Sequence, residues 1–334
     1  MNHAEITNII QLAQYLNIDP IYLTEFNNNG WEVPVRLETK ISETPPHAKI
    51  INISSLYKKK FALNELKLKK KGKTNLLEIE YRTVFEVRDP KLKIGLKSIY
   101  YHLRQLYHPQ NSVHGYVRNR SIRTNAKRHL AKKLILRFDI KDFFGSINEE
   151  KVKEIFEKLG FQNEISELLT KLTTHEKKLA QGFCTSPLLA NIYCTNMDFA
   201  FEELAESMNC TYTRYSDDCY FSSNNVLPSQ IEIANILSIF GFKLNLKKWK
   251  IMKKGGNQYV TGLTVVDKLN PRIPRRIKNQ IRFNYYFYSI DVDEPYRYDY
   301  LMHRKHLEGW LRYIYSVEPW FVEKLKIKYG ELYF

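Results

Sequence analysis

The spacing of apolar residues along the chain predicts alternating helices and strands. Residues 3–16 carry apolar side chains at helical spacing, which predicts an amphipathic first helix, and LKSIYYHLRQLY (96–107) predicts a second. Branched and aromatic residues predict a strand or hairpin arm in LLEIEYRTVFEV (76–87) and a strand in KLILRFDI (133–140). The second of these strands carries an acid, Asp139, next to its end.

The second half of the chain predicts further elements of both kinds. Residues 149–159 follow a polar start and precede Gly160, so they predict a helix. A longer helix begins near Ser186, which we expect to act as the N-cap with Pro187 at the first helical position. Further predicted elements are two strands flanking 217–218, a helix near 229–240, a strand pair within 258–266 and a helical segment from about 275. Helices mixed with hairpins indicate an α+β fold.

Length and composition indicate the domain organisation and the cellular compartment of the protein. With 334 residues, of which 43% are hydrophobic, the chain can bury a sizeable core and form more than one domain or subdomain. The cysteines have neither the spacing of a zinc site nor that of a disulfide framework; they are Cys184, Cys194, Cys210 and Cys219. No stretch approaches about 18 consecutive apolar residues, and the N-terminus lacks the pattern of a signal peptide. We therefore expect a soluble cytoplasmic protein with no membrane partner.

The charge of the chain points to a polyanionic partner. Lysine and arginine number 52 against 36 acidic residues, which gives a net charge of +16, and a field of that sign attracts nucleic acid. The excess is concentrated in residues 58–73, 118–133, 243–254 and 271–282, where it is interleaved with aromatic residues. Many of these lysines fit an ordinary solvated surface, but several separate clusters favour a long groove that follows a nucleic-acid backbone.

The stretch RYSDDCYF (214–221) places Asp217 and Asp218 between two segments of strand character. Taken alone it predicts a hairpin turn, because serine and aspartate are common turn residues. A chemical interpretation requires a further acid, and Asp139 at the end of a strand supplies one. Carboxylates are the ligands that Mg²⁺ prefers, and two such ions catalyse phosphoryl transfer to a hydroxyl group. The two interpretations remain open on this stretch alone.

The order of three motifs resembles that of the reverse transcriptases. RFDIKDFFGSI, QGFCTSPLLANIY and RYSDDCYF correspond to their motifs A, B and C. Two shorter motifs, N-A-x-x-H at Asn125, Ala126 and His129 and V-T-G at Val260, Thr261 and Gly262, resemble those of bacterial retron reverse transcriptases. The resemblance covers about residues 75–270 by motif.

The resemblance implies a right-hand polymerase fold with fingers, palm and thumb. The implied domains are an N-terminal helical extension (1–44), fingers (45–138, with part of 149–182), a palm with an antiparallel sheet (139–274) and a helical, RNA-binding thumb (275–334). These boundaries come from the resemblance and not from the hydrophobic pattern.

The resemblance also implies a reaction and its partners. Retron enzymes copy part of their own structured noncoding RNA, of the msr-msd type, from dNTPs, starting at the 2′-hydroxyl of an internal guanosine. The product is branched RNA–DNA called multicopy single-stranded DNA. The implied partners include an effector protein encoded nearby, in a system of antiphage defence. The alternatives are another bacterial reverse transcriptase that extends a 3′-hydroxyl primer, and an RNA-binding scaffold without synthesis.

The resemblance assigns roles to individual residues. The implied ligands of two Mg²⁺ ions are Asp139, Asp217 and Asp218, with Asp139 and Asp217 bridging both. Lys248 is implied as the proton donor to pyrophosphate. The implied nucleotide-binding residues are Arg82, Phe144, Gln181, Gly182, Tyr215 and Ser216. The implied RNA or primer contacts are Asn125, His129, Val260, Thr261 and Gly262.

Several of these roles have an ordinary structural alternative. Phe144, implied as the aromatic gate that excludes a ribose 2′-hydroxyl, could be a core residue, and Arg82 could form a surface ion pair instead of binding the triphosphate. Lys247 lies beside Lys248, so that choice depends on motif spacing. The Asn125–His129 pair could pack inside the fold instead of contacting RNA. Gly182 is expected to let the backbone approach the substrate closely.

Overall fold

The structure, a computed structural model, describes residues 5–30, 35–40, 81–290 and 302–332. The basic cluster at 58–73 and the predicted strand residues before Tyr81 lie outside these ranges. None of the helices in the described part of the chain has the length and apolar character needed to span a bilayer. The chain divides into two compact units, Met1–Thr39 with Arg82–Thr261 and Lys40–Tyr81 with Gly262–Phe334.

The first unit contains the central sheet and most of the helices. Its first elements are α1 (Ile9–Leu16), α2 (Pro20–Asn29), β1 (Val35–Lys40), β2 (Tyr81–Glu86), α3 (Pro90–Leu106), α4 (Ile122–Lys127) and β3 (Leu134–Lys141). They are followed by α5 (Glu149–Lys158), α6 (Asn163–Thr173), β4 (Thr174–His175), β5 (Lys178–Leu179), α7 (Ser186–Tyr193), α8 (Thr195–Ser207) and β6 (Thr211–Tyr215). The remaining elements are β7 (Asp218–Ser223), α9 (Gln230–Ile239), β8 (Lys243–Leu244), β9 (Lys250–Lys253) and β10 (Tyr259–Val260).

The central sheet is five-stranded and its described pairs are antiparallel. Its order is β6-β7-β3-β8, and β9 also pairs with β3. Strand β3 is therefore interior, with β7 on one side and both β8 and β9 on the other. The register places Asp139 opposite Asp218.

The sheet is held against α8 by an aromatic core. Phe138 on β3 stacks on Phe221 of β7 with ring centroids 6.2 Å apart, and Phe201 of α8 lies 5.7 Å from Phe138. All three side chains are fully buried. Burial of aromatic rings on this scale anchors the strand that carries Asp139.

Most element predictions in the described residues are confirmed. Strand β3 and helices α5 and α9 lie within one residue of the predicted bounds. Two details of the predicted long helix were wrong. The helix is divided at Cys194 into α7 and α8. Thr185, and not Ser186, is the N-cap of α7, and Ser186 begins the helix. The hydroxyl of Ser186 is buried and donates 2.7 Å to the carbonyl of Ala180, so it fixes the preceding loop instead of capping the helix.

The second unit is helical, as predicted for the C-terminal segment. Its elements are β11 (Leu263–Thr264), α10 (Arg275–Ser289), α11 (Arg304–Val317) and α12 (Pro319–Tyr329). The three helices pack against one another. A buried acid, Glu318, joins the start of α12 to α10 and to the segment before it, because its carboxylate accepts from Lys278 Nζ on α10 at 3.0 Å and from the Ile273 amide at 2.7 Å.

Candidate active site

Strands β3 and β7 and the turn before β7 place the three predicted carboxylates at neighbouring backbone positions. Asp139 and Asp218 are cross-strand partners. The Asp217 carbonyl accepts from the Ile140 amide at 3.0 Å, which ties the turn to β3. The prediction that Asp217 and Asp218 form the turn itself was wrong by one residue. Ser216 and Asp217 form it, whereas Asp218 pairs with Tyr215 as the first residue of β7.

Asp139 is buried and fully partnered. Its Oδ2 atom lies 2.6 Å from Nζ of Lys248, and its Oδ1 atom accepts from Asn245 Nδ2 at 2.9 Å. The Asn245 amide also donates to the Asp139 carbonyl at 2.9 Å. Lys248 therefore pairs with the Asp139 carboxylate, and Asn245 orients both the backbone and the side chain of Asp139.

Asp218 is held by an arginine that the sequence interpretation did not identify. Arg137 donates from Nε and Nη2 to the two carboxylate oxygens at 2.8–3.0 Å, which is a fork-shaped ion pair. Arg137 lies two residues before Asp139 on β3. Since alternate residues of a strand share a face, this spacing could have identified it.

Of the three carboxylates, Asp217 is the one whose pKa is raised most clearly by its surroundings. Burial, followed by the negative charges of Asp139 and Asp218, raises the pKa of Asp217 to about 6. A cation would relieve this repulsion, and hard carboxylate oxygens suit a divalent one such as Mg²⁺. Among the described residues no group of three Asp, Glu, His or Cys side chains has an arrangement that could hold a metal ion, and Lys248 and Arg137 form ion pairs with Asp139 and Asp218. The chemistry of the donor set fits a divalent ion.

An aromatic group lies beside the turn. Phe143 is buried in the core, whereas Phe144 is half-buried and lies 6.4 Å from the ring of Tyr116. The Tyr116 hydroxyl accepts from the Ser216 hydroxyl at 3.2 Å. Tyr215 is half-buried. Tyr116 therefore contacts both Phe144 and the buried Ser216, and sequence reasoning missed it.

Gln181 and Gly182 contact strand β2. The Phe85 amide donates to the Gln181 carbonyl at 2.7 Å, and a Cβ atom on Gly182 would lie 2.2 Å from the Phe85 carbonyl oxygen. The close approach that Gly182 permits within the chain is thus to a neighbouring strand. Arg82 belongs to β2, but its side chain lies outside the described residues.

Asn125 and His129 are fully buried, so their expected contact with RNA is corrected to a packing role. The two ring nitrogens of His129 lie 2.7 Å from the hydroxyls of Thr213 on β6 and Ser222 on β7. Burial lowers the pKa of His129 to about 3, with smaller contributions from neighbouring positive groups. A neutral His129 therefore joins β6 to β7.

The V-T-G motif also makes internal contacts. Val260 is buried, which removes its side chain from the expected primer contact. The Thr261 amide donates to the Tyr220 hydroxyl, and its hydroxyl donates to the Ile122 carbonyl, both at 3.0 Å. Thr261 therefore connects β7 with α4. Gly262 has a φ of 83°, a conformation that favours glycine.

Comparison with known proteins gives a family for this arrangement. A family model described as "Reverse transcriptase (RNA-dependent DNA polymerase)" matches residues 68–295. Retron Ec73 and Ec86 reverse transcriptases of Escherichia coli are 33% and 31% identical, over 66% and 65% of this chain and 74% and 68% of their own lengths. Retron Mx65 reverse transcriptase of Myxococcus xanthus is 30% identical over 64% of this chain, and about half (53%) of that relative is covered.

Solved structures give a weaker likeness. Apo telomerase of Candida tropicalis, truncated from its C-terminal domain, is 14% identical, with a TM-score of 0.40 over 71% of this chain and 63% of that one. Telomerase of Candida albicans, in complex with a fragment of telomeric RNA, has a TM-score of 0.35. At these scores the likeness carries no argument about function.

Proposed function

Because the chain belongs to the bacterial retron reverse transcriptases, which are RNA-directed DNA polymerases with a right-hand fold, we propose that it copies part of its cognate noncoding RNA into DNA from an internal 2′-hydroxyl. The RNA would be of the msr-msd type, and the product would be multicopy single-stranded DNA. The observation that carries the proposal is the grouping of Asp139, Asp217 and Asp218 across β3 and β7.

Each carboxylate has a role in this proposal. Asp139 and Asp217 would hold two Mg²⁺ ions, and Asp218 would lie at the edge of the site. The bound metal would lower the pKa of the attacking hydroxyl and stabilise charge on the leaving phosphate. Asn245 keeps the Asp139 carboxylate oriented, and the Arg137 fork restrains Asp218, so these two carboxylates are fixed before substrate binds.

Lys248 is the proposed proton donor to the pyrophosphate. Its ammonium lies 2.6 Å from Asp139, at the edge of the carboxylate group, and its side chain is 44% exposed. A lysine side chain is long and flexible, so a change of rotamer can move the charge from the carboxylate towards a bound triphosphate. This proximity favours Lys248 over Lys247 for the role.

The nucleotide would lie against Phe144 and Tyr116, with Ser216 beside them. The half-buried Phe144 would pack under the sugar and exclude a 2′-hydroxyl, while Tyr215 would lie near the primer end. Arg82, Gln181 and Gly182 would act together on the triphosphate side, since β2 is hydrogen-bonded to the loop that contains Gln181.

RNA binding is proposed for the second unit. Arg272, Lys278 and Lys324 place their charges 5.2–5.8 Å from the ring centroid of Trp320, which is 42% exposed. A cationic group around an exposed ring suits phosphate contacts together with stacking on an unpaired base. We assign 275–334 to the thumb, 45–138 and part of 149–182 to the fingers, 139–274 to the palm and 1–44 to an extension.

An effector protein encoded near the gene, acting in antiphage defence, is proposed as a partner by analogy with retron systems. The charge of +16 supports the RNA partner.

The product linkage tests the proposed reaction. Purified protein would be incubated with RNA transcribed from the DNA flanking its gene, with dNTPs and Mg²⁺. We expect DNA joined to RNA through a 2′-5′ bond, detected by sensitivity to a debranching enzyme. A product with only 3′-5′ linkages would reject the retron-type start and leave a polymerase that extends 3′-hydroxyl primers.

Asp217→Asn tests the metal role in the same assay. We expect synthesis to be abolished while RNA affinity is retained, because only the proposed ligand is altered. Glu203→Gln, which also removes one carboxylate charge but from an exposed position on α8, is the matched control and should retain activity. Synthesis by Asp217→Asn at the control rate would reject the catalytic assignment.

A further inference from the structure

An ion pair is completely buried beneath the active-site turn. Arg214, the last residue but one of β6, donates from Nε and Nη2 to the two carboxylate oxygens of Asp198 on α8, at 2.8 and 2.6 Å. Both side chains are fully shielded from solvent. Removing two charges from water is costly, so a buried ion pair is weak evidence for a stabilising role. The pair therefore calls for another explanation.

The remaining donor of Arg214 reaches the catalytic turn. Its Nη1 atom donates to the Ser216 carbonyl at 3.2 Å and to Asn191 Oδ1 at 3.0 Å. The Ser216 carbonyl belongs to the peptide bond that leads into Asp217. Ser216 has a φ of 62°, in the left-handed region, so this peptide is in an orientation that few residues adopt without support.

The same network holds a third segment against the turn. The side-chain Nδ2 atom of Asn191 donates to the Gly115 carbonyl at 2.9 Å. A Cβ atom at position 115 would lie 2.3 Å from the Ser216 amide nitrogen, so the two backbones are in direct contact. Backbone bonds from the Arg214 amide to Ser112 and from His114 to the Arg214 carbonyl complete the junction. Arg214 thus joins α7, α8, the turn and the loop that carries Tyr116.

We propose that Arg214, held in place by Asp198, is a positioning residue that fixes the Ser216–Asp217 peptide and through it the Asp217 carboxylate. The proposal rests on the proposed catalytic function of Asp217. Asp198 holds Nε and Nη2 of the guanidinium, which directs Nη1 at Asn191 and at the carbonyl of Ser216 in the turn. A lysine in place of Arg214 has no such fork and cannot hold the carboxylate and the Ser216 carbonyl in this fixed geometry.

A paired substitution separates positioning from stability. Arg214→Met or Asp198→Leu alone leaves a buried charge without its partner and is expected to destabilise the fold. Arg214→Met together with Asp198→Leu removes both charges and keeps apolar volume, a change that often restores stability. If the pair only stabilises the fold, activity must return with stability. If it positions the turn, activity must stay low.

The assay uses the full chain with poly(rA)·oligo(dT), dTTP and Mg²⁺. Urea unfolding gives stability, and initial rates give kcat and KM. For the double variant we expect a wild-type unfolding midpoint and a kcat that falls about 100-fold, the typical cost of misplacing a catalytic group by about 1 Å. The KM for dTTP should change far less, because the nucleotide contacts remain. A double variant with wild-type kcat would overturn the proposal.

Two further variants keep the proposal testable if the double variant unfolds. Arg214→Lys retains the charge opposite Asp198 and is expected to fold, with kcat lowered at least about tenfold; a wild-type kcat would overturn the proposal. Tyr212→Phe is the control, because it removes a 2.9 Å bond to Asp198 that does not lead to the turn. It should keep its kcat.

Asp217→Asn, measured in parallel, distinguishes an error in the catalytic role of Asp217 from an error in the positioning role of Arg214. If Asp217→Asn is active, the proposed function of Asp217 is wrong. If Asp217→Asn is inactive while the double variant and Arg214→Lys are fully active, only the positioning role is wrong.

Discussion

Replacing His129 by glutamine should remove an acid sensitivity from the fold. The wild-type ring is fully buried between the hydroxyls of Thr213 and Ser222, at 2.7 Å from each. Burial lowers its pKa to about 3, whereas an unfolded chain has a histidine pKa of about 6.5. Between these values the unfolded chain binds a proton that the folded chain rejects. The free energy of unfolding therefore falls as the pH drops below about 6.5.

The size of the effect follows from the two pKa values. At about pH 7.5 the imidazole is neutral in both states and contributes nothing to the pH dependence. At about pH 5 the unfolded imidazole is almost fully protonated and the folded one is neutral, which lowers the free energy of unfolding by about 2 kcal/mol. Glutamine does not titrate, so His129→Gln should lack this part of the loss.

Urea unfolding of both proteins at the two pH values measures the difference. Every other titrating group, including the buried His114, is present in both chains and is subtracted by the comparison. We expect the wild type to lose about 2 kcal/mol more than the variant between about pH 7.5 and about pH 5. Equal losses would refute the reasoning, because they would mean that His129 ionises as readily in the folded chain as in the unfolded one.

Three further predictions follow from other contacts. Gly182→Ala should lower the free energy of unfolding by about 1–3 kcal/mol, because its backbone is left-handed and its Cβ would meet a β2 carbonyl at 2.2 Å; urea unfolding measures this. Arg137→Ala should lower kcat in primer extension about tenfold, because the Asp218 carboxylate loses the guanidinium that holds it. Lys324→Gln should weaken RNA binding and reduce the slope of log affinity against log salt by about one, in a filter-binding titration.

Each of these predictions has its own control. Gly160→Ala has a similar backbone strain, at a φ of 94°, but no atom within 4 Å of the added Cβ, so it isolates strain from the clash. Equal losses at the two glycines would contradict the clash. For Arg137, unchanged kcat would show that the ion pair is unnecessary for catalysis. For RNA binding, Lys158→Gln on α5 is the control, and an equal change of slope in both variants would contradict the assignment of binding to the second unit.

The sequence predicted the carboxylate group because its residues occur in short motifs with fixed order. Strand β3 was also predictable, since KLILRFDI has branched and aromatic residues throughout. Arg137 could have been found from its spacing of two before Asp139. The sequence does not show that Tyr215 pairs with Asp218 across the hairpin. This pairing limits the turn to Ser216 and Asp217, so the prediction that Asp218 lies in the turn is wrong.

The buried polar groups could not be predicted in the same way. His129 meets partners that are 84 and 93 residues away in the chain, so its spacing from Asn125 does not tell whether their shared face contacts RNA or the core. In the sequence nothing distinguishes Arg214 from the other basic residues of a chain whose net charge is +16. Only the packing of α8 against β6 shows that it is enclosed with Asp198.

The contacts of Asp139 form late during synthesis of the chain, because their partners lie far along the sequence. Asn245 and Lys248 follow Asp139 by 106 and 109 residues. At a translation rate of about 10 residues per second, a ribosome needs about 10 s to pass from the acid to its counter-charge. Strands β7 and β8 are made within that interval and β9 follows it, so Asp139 lacks its ion pair until after both β7 and β8 have been made. The ion-paired arrangement of Asp139 therefore cannot form on the emerging chain until synthesis has passed Lys248, after β7 and β8 have been made.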